Sequence, residues 1–365
     1  MSLKVKPKVA LIHYWLNNWR GGELVLKDVA DLLGKNYEVH IYTHVLDHSL
    51  IQHFDKRVVF HTTFIDKLPF SNKLYQAYIL LMPIALKLLK LDDYESIISF
   101  ESGPSKGIRR KYNHKHICYV HSPMRYIWDM HEEYLESSTI IEKIFLKFIT
   151  PFLRIWDKKT SHYPKKILCN SKFVKKRIKK YWGRDAIVVY PGITPMTVGK
   201  QINENFYLYI GELNHYKKAD IVFEAFKKNG RKLKIIGKGP FLENFKKDSQ
   251  SNIELLGRVS DQEKFKILSE CVALIFPSKE DFGLVPIEAM MHGKPVIAYQ
   301  EGGATETVIN ELSGLFFNEQ NSKSLNDCIL KFEKMDFKPK NIIKYAQKFS
   351  NDSFKMSFSE HLNKL

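Results

Sequence analysis

The chain has 365 residues, 44% hydrophobic and 27% charged, with 18 Gly and 14 Pro, a composition that excludes a disordered polypeptide, a collagen-like fibre or a low-complexity array. Its length favours two domains over a single core. The formal net charge of +17 calls for a polyanionic neighbour: anionic lipid, a diphosphate-bearing substrate or nucleic acid, among which charge alone does not choose.

Near the start, lysines precede a very short apolar run, VALIHYW, with no small-residue cleavage site, so the N-terminus reads as a first strand and implies no export. Further short apolar runs at 39–42, 96–100, 117–120 and 167–170 are separated by helical sequence, the pattern of a parallel sheet with crossover helices. The stretch YILLMPIALKLLKL (78–91) is broken by Pro83 and Lys87, and no segment reaches the apolar length of a membrane span. Pro and Gly punctuate the chain at 190–195, before a polar stretch through Asn205; this is the expected hinge. The second half repeats the pattern at 207–210, 233–236, 253–256, 273–276 and 295–298 and turns helical after Leu315. The expected α/β organisation is two Rossmann-like, doubly wound domains, 1–192 and 193–345, with a last amphipathic stretch, 346–365, returning to the first. Cys118, Cys169, Cys271 and Cys328 lie apart in apolar stretches, as reduced thiols of a cytoplasmic protein do.

Charge is unevenly placed. The basic runs at 109–116, 172–184 and 226–234 suit either solvated helix faces or a membrane-facing patch, and EKIFLKFITPFLRIWDKK (142–159) is amphipathic with an apolar face that fits an interface or a core equally well.

The sharpest local signal is PSKEDFGLVPIEAMMHGKPVIA (277–298): strand, Gly-containing loop, a helix opening at Pro286 and closing at His292-Gly293, then a strand. Ligands of doubly wound sheets bind at the carboxyl edge of the strands. A nucleotide-sugar there would meet the helix N-terminus with its diphosphate, where the free N–H groups around Gly283, Leu284 and Val285, following Phe282, point at the anion. Glu288, in the first helical turn, can accept from both ribose hydroxyls, and Glu280, in the loop, can reach sugar hydroxyls. The plainer alternative makes Glu288 a helix-dipole partner and Glu280 a surface acid.

In this context the segment resembles the retaining glycosyltransferases of family 4, whose signature is a Glu, seven residues and a second Glu. The resemblance covers nearly the whole chain. It implies a GT-B fold with two Rossmann-like domains facing across a cleft, the donor ribose on Glu288, the donor sugar on Glu280, no metal, and no cofactor beyond the nucleotide-sugar co-substrate.

In YLYIGELNHYKKADIVFEAF (207–226) a strand ends in Gly211, and Lys217-Lys218 open a helix, where ammonium groups would stabilise a departing diphosphate; solvated surface lysines are the alternative. Where family members have Gly-Arg-Leu, this chain has Gly211-Glu212-Leu213, so the cationic role falls first to Lys217. The turn Tyr216-Lys217-Lys218 partly matches the Tyr-Lys-Arg of an O-antigen mannosyltransferase branch. The turn IGKGP, with Gly237, and LLGRVSDQEK, whose strand is expected to run through Arg258-Val259 into a helix capped by Ser260 or Asp261, resemble segments lining the base pocket. A Gly-rich turn at 301–306 would close the donor site.

In the first half, Gly21 and Gly22 follow the first strand and open a helix, permitting close approach of a phosphate. CYVHSPMRYIWDMHEEYL (118–135) places His121, Arg125, Tyr126, Trp128 and Asp129 just after an apolar strand, a polar and aromatic cluster suited to carbohydrate. A strand-end histidine with a core tryptophan is the alternative. The block HSPMRYIWD resembles the same mannosyltransferase branch, which implies that His121 lies beside the donor sugar and takes part in catalysis, with Arg125, Tyr126, Trp128 and Asp129 on the acceptor.

The resemblance implies transfer of a hexose with retention, which needs either a double displacement or a same-face substitution; the same-face route is favoured since no well-placed nucleophile stands out. Resemblance points to GDP-mannose as donor, with UDP-sugars next, and to a lipid-diphosphate-linked oligosaccharide acceptor in bacterial O-antigen or capsule assembly. The expected location is the cytoplasmic face of the inner membrane, in peripheral contact with anionic lipid. A nucleotide-sugar epimerase of the same fold would need acid/base residues flanking the sugar and no acceptor. A nucleic-acid module would carry a recognition motif, which the sequence lacks.

Overall fold

Val9, Ala10, Leu11 and Ile12 are all buried; a strand apolar on both faces belongs in the middle of a parallel sheet covered on both sides. This strand, β1 (Lys8–His13), is an interior strand of a seven-stranded sheet with β2 (Glu38–Thr43), β3 (Val59–Thr62), β4 (Tyr94–Glu101), β5 (His116–Val120), β6 (Lys166–Cys169) and β7 (Ile187–Val188). The order is β3-β2-β1-β4-β5-β6-β7, with every neighbouring pair parallel. The computed structural model describes residues 6–194 and 204–362.

The period of two along β1 sorts its residues into two cores. Val9 and Leu11 join Val25, Leu26, Val29 and Leu33 of helix Gly21–Leu33, together with Phe354 and Phe358 from near the end of the chain. Ala10 and Ile12 join Met82 and Leu86 of helix Met82–Leu88 and Ile149, Leu153 and Trp156 of helix Ile140–Thr160. His13 pairs with Thr43 and Phe100, so the loops leaving β1, β2 and β4 start at one carboxyl edge.

The second sheet has six strands, β8 (Tyr207–Ile210), β9 (Leu233–Ile236), β10 (Ile253–Gly257), β11 (Leu274–Phe276), β12 (Val296–Tyr299) and β13 (Gly314–Phe317). They lie in the order β10-β9-β8-β11-β12-β13, again all parallel. Tyr209, Ile235, Ile275, Ile297 and Leu315 pack under Val222, Phe223 and Phe226 of helix Ala219–Asn229 and Leu325 and Ile329 of helix Ser322–Phe332.

The chain forms two units, Met1–Pro191 with Phe354–Leu365, and Gly192–Ser353. The return to the first unit falls after Ser353 and not at the expected 345/346. Helix Pro339–Ala346 and Phe349 stay with the second unit: a Cβ on Gly293 would lie 2.9 Å from that of Pro339, and Phe349 packs edge-on to Phe282 at 5.9 Å. Ile193 N–H donates to the Phe349 carbonyl at 3.0 Å and Asn351 N–H to the Ile193 carbonyl at 3.2 Å, which ties the two passages of the chain side by side. Pro195, the last residue of the expected hinge, lies outside the described residues.

Three strands depart from expectation. The half-exposed edge strand β3 and the two-residue β7 are too polar or too short to carry a clear pattern, and β13 is a short apolar run, Gly-Leu-Phe-Phe, in a region expected to turn helical. Strand β10 ends at Gly257, whose φ of +68° turns the chain, so Arg258 and Val259 follow the strand instead of extending it. Ser260 is the helix cap, its Oγ accepting from Glu263 N–H at 3.2 Å. The helix expected from Pro286 spans Leu284–Met291, so Glu288 is its fifth residue and sits in the second turn. All four cysteines are buried free thiols, and burial pushes Cys271 up to about 12. Among the described residues no helix is long and apolar enough to cross a membrane.

Phe358 is fully buried and its ring lies 6.1 Å from that of Tyr119 on β5. Phe358→Ala should destabilise the first unit by about 3–5 kcal/mol, read as a lower urea midpoint in the unfolding phase of that unit.

Candidate functional site

In the second unit four neighbouring strands end level with one another. Gly211 N–H donates to the Ile236 carbonyl at 3.0 Å and Gly237 N–H to the Gly257 carbonyl at 2.8 Å. A Cβ on Gly237 would sit 1.9 Å from the Gly211 carbonyl oxygen, so glycine is required there by close backbone approach. The sheet order therefore sets Arg258, Gly237, the 211–218 turn and the loop after β11 along one edge.

Lys217 and Glu280 meet on this edge, Nζ to Oε1 at 2.6 Å. Each is also positioned locally: Asn214 Oδ1 accepts from Lys217 N–H at 2.8 Å, and Ser278 Oγ donates to Glu280 Oε1 at 2.9 Å. Lys218 caps helix Ala219–Asn229 with φ +54°, a left-handed conformation costly for a lysine. Glu212, at the family's arginine position, is exposed. The helix Leu284–Met291 opens from Gly283 at φ +83°, and its first-turn N–H groups have no acceptor within the helix. Glu288 is buried and holds Lys264 Nζ on Oε1 at 3.2 Å, while its Oε2 makes no hydrogen bond among the described residues. A buried carboxylate oxygen left this way suits a hydroxyl-bearing ligand.

The Gly302-Gly303 turn packs on the same loop: Gly303 N–H donates to the Glu280 carbonyl at 2.8 Å, and a Cβ on Gly303 would come within 2.3 Å of Phe282 Cα. Phe282 is itself buried, its ring against Phe349, so its side chain braces the loop from behind. Arg258 is exposed and Val259 half-buried.

In the first unit the edge of β1, β4 and β5 gathers a second cluster. A Cβ on Gly22 would lie 3.1 Å from the Tyr14 hydroxyl and 3.7 Å from His121 Nε2, so the start of helix Gly21–Leu33 abuts the histidine. His121 hangs from the edge by its backbone, its N–H donating to the Glu101 carbonyl at 2.9 Å and its carbonyl accepting from Asn170 Nδ2 at 3.0 Å. Burial pulls His13 down to about 3, with His121 adding to the effect. Burial also pushes the Glu23 carboxyl up to about 7 in spite of N–H donors from its own backbone and Arg20. Tyr14 is pushed up by burial and by Glu23, an effect that Arg20 and Arg125 partly offset. His121 and Gly22 are thus brought together beside Tyr14, and the charge of Arg125 reaches the Tyr14 hydroxyl.

The other expected acceptor residues are fixed into the protein. Tyr126 OH donates to Met124 Sδ at 2.8 Å. Trp128 stacks on Tyr181 at 4.7 Å, lies under the Arg154 guanidinium at 5.4 Å and donates from Nε1 to Asp157 Oδ2 at 2.8 Å. Asp129 pairs with the buried Arg177, which also donates to Ser122 Oγ at 3.0 Å. Behind them lies a fully buried ion group: Lys106 Nζ contacts Glu101 Oε1 at 3.0 Å and Asp157 Oδ1. Burial lowers the Lys106 pKa, but Asp157 and Glu101 outweigh it and raise it overall.

Sequence reasoning missed Lys264, the partner of Glu288, although it closes the LLGRVSDQEK segment. It also gave no role to Tyr14, inside the quoted VALIHYW run, to Glu23, or to the Lys106 group. A lone lysine in a loop, such as Lys106, or a lone aspartate in a helix, such as Asp157, carries no sequence sign of burial. Among the described residues no cluster of His, Cys, Asp or Glu could hold a metal.

Residues 19–196 match the family model Glycosyltransferase Family 4, and residues 197–349 match Glycosyl transferases group 1. Solved structures share the fold: a sucrose-phosphate synthase from Thermosynechococcus elongatus, at TM-score 0.73 and 17% identity, covers 98% of this chain and 99% of that one. HepE of Anabaena, solved with UDP and glucose, reaches TM-score 0.68 at 17% identity over 98% and 99%. Two parallel Rossmann-like sheets and these structural neighbours define a GT-B fold. An uncharacterised glycosyltransferase of Methanocaldococcus jannaschii is 37% identical over 45% of this chain and 48% of its own length. The O-antigen chain mannosyltransferase C of Escherichia coli is 26% identical over 35% and 37%, and the alpha-1,3/1,6-mannosyltransferase ALG2 of Mus musculus 32% over 32% and 30%. These alignments span less than half the length of each relative. The chain belongs to glycosyltransferase family 4, with a group 1 C-terminal domain.

The Glu23 carboxyl is about 7 folded against an ordinary value of 4.5. Between those values the folded chain binds more protons than the unfolded one, so this group's contribution to stability falls as pH rises through that window. Glu23→Gln should flatten that slope, measured as urea midpoints across the window.

Proposed function

We propose that this chain transfers mannose from GDP-mannose, with retention and without a metal, to a lipid-diphosphate-linked oligosaccharide during assembly of a bacterial surface polysaccharide. The observation that carries the proposal is the Lys217–Glu280 pair at 2.6 Å on the carboxyl edge of β8 and β11, beside a helix N-terminus. The mannosyltransferase relatives support the choice of sugar and acceptor class.

In the proposed reaction the helix N-terminus Leu284–Met291 takes the donor diphosphate and Glu288 accepts from the ribose hydroxyls through its Oε2. Glu280 holds the sugar. The bond from the anomeric carbon to the diphosphate oxygen breaks as an acceptor hydroxyl oxygen bonds the same face, and the acceptor proton passes to the departing phosphate oxygen. Lys217, released from Glu280 onto the diphosphate, stabilises the charge that builds there. Its test is nucleotide release that depends on added acceptor, which an epimerase would not show. Lys217→Ala should lower kcat by roughly 100-fold, about 2.7 kcal/mol. Glu288→Ala should chiefly raise the donor KM, and Glu280→Gln and His121→Ala chiefly lower kcat. Unchanged kinetics in all four would refute the assignment.

Donor identity is tested separately. GDP-mannose should raise Tm more than UDP-glucose or ADP-glucose at equal concentration, since the tighter ligand stabilises the folded state more; a larger shift with a UDP-sugar would reassign the base.

A further inference from the structure

Helix Ile140–Thr160 is apolar on two faces. Ile149, Leu153 and Trp156 point into the core beneath the first sheet. Ile141, Ile144, Phe148, Phe152 and Ile155 are 81%, 66%, 83%, 53% and 71% exposed. Their spacing by three, four, four and three places them in one stripe along the helix. Scattered exposed hydrophobics are ordinary, but a continuous stripe of isoleucine and phenylalanine marks a surface that meets something apolar.

The helix Met82–Leu88 repeats the design. It buries Met82, Ala85 and Leu86 in the same cluster that receives Ile149 and Leu153, so both helices cover the same face of the sheet. Its outward positions Ile84 and Leu88, with Leu81 just before it, are 52%, 58% and 36% exposed, again spaced by three and four.

Charge identifies the occupant. Lys143, Lys147 and Lys158 fall within about 60° of one another at about 100° per residue, in a row bordering the longer stripe. The two acids of that helix are engaged within the protein: Glu142 accepts from Thr139 N–H at 2.8 Å as part of the helix cap, and Asp157 is held by Lys106. The stripe is therefore flanked by positive charge on a chain of net charge +17. A second copy pairing stripe to stripe would bring two such rows together, whereas an anionic bilayer accepts both the apolar stripe and the lysines. With lysines inside its length the helix lies on a bilayer rather than through it, in line with the absence of a spanning helix among the described residues.

We propose that the outward faces of helices Ile140–Thr160 and Met82–Leu88 are the lipid-binding surface of this protein, with the isoleucine and phenylalanine stripe seated at the acyl boundary and the lysine row on anionic headgroups. This deepens the reading of a lipid-linked acceptor, on which it rests for its biological purpose, but its test is independent of any sugar chemistry.

The experiment is co-sedimentation of the full chain with vesicles of phosphatidylethanolamine containing about one third phosphatidylglycerol, against pure phosphatidylcholine. The wild type is expected to sediment with the anionic vesicles, less so at high salt. Ile144→Glu with Phe148→Glu, and separately Ile84→Glu, should each weaken that partition by about tenfold or more, leaving the Tm of the unliganded chain unaltered. That Tm also verifies that the variants fold. No sedimentation of the wild type, variants that bind as well as wild type, or a wild-type dimer in ultracentrifugation that the variants dissolve would each overturn the proposal. Vesicle binding without acceptor-dependent nucleotide release would leave this surface standing and fail the transfer reaction alone.

Discussion

A single buried ammonium organises the first unit. Lys106 Nζ has no exposed surface and is held between Glu101, at the end of β4, and Asp157, on helix Ile140–Thr160. Asp157 in turn takes the indole N–H of Trp128 at 2.8 Å and of Trp182 at 2.6 Å, and Glu101 takes Ser105 Oγ at 2.6 Å. Removing one member of such a group leaves an uncompensated charge in a medium that solvates it poorly, at a cost of about 3–5 kcal/mol. The group thereby locks three things to one another: the sheet edge that carries His121, the aromatic wall formed by Trp128, and the helix whose outer face bears the apolar stripe.

That linkage gives the polar interior a purpose that stability alone does not supply, since well-packed hydrophobic residues hold helices to sheets at least as firmly. A carboxylate accepting two indoles fixes their rotation as well as their position. Arg154, one turn before Asp157, adds to this by donating from Nε to the Ile127 carbonyl at 2.5 Å while lying over Trp128. The second unit reaches comparable definition by other means. There, glycines at 237, 239 and 303 let backbone press on backbone, and the charged groups Lys217, Glu280, Lys264 and Glu288 stand in pairs at the edge.

How much of this is legible in the sequence follows from what each feature demands. The central strands are largely apolar runs, broken in β9 only by Lys234, so β1, β8 and β9 are recognisable within a residue or so. The edge strands β3 and β7 pair on one side only and need no such run. The Glu280 and Glu288 segment is legible because its strand, loop and helix are all local. The pairing of Lys217 with Glu280 depends on β8 lying beside β11, a crossover in sheet order that no local pattern encodes. Helix Ile140–Thr160 shows the limit most clearly: its sequence is apolar on two sides, and only the fold decides which of them faces water. The same holds for Trp128 and Asp129, whose polar and aromatic character suits a sugar but whose partners turn out to be Tyr181, Asp157 and Arg177.

The crossing at Ser353 has a kinetic consequence. Phe354 and Phe358 belong to the core that β1 and β5 build, yet a ribosome delivers them only after the whole intervening unit has emerged, because the chain is made from its N-terminus. Until then Tyr119 and Leu11 face a gap that two late phenylalanines are meant to fill. The nascent first unit must therefore wait in a partly open state, exposed to chaperones and proteases, while the later-made second unit, whose core is contiguous in sequence, can finish first.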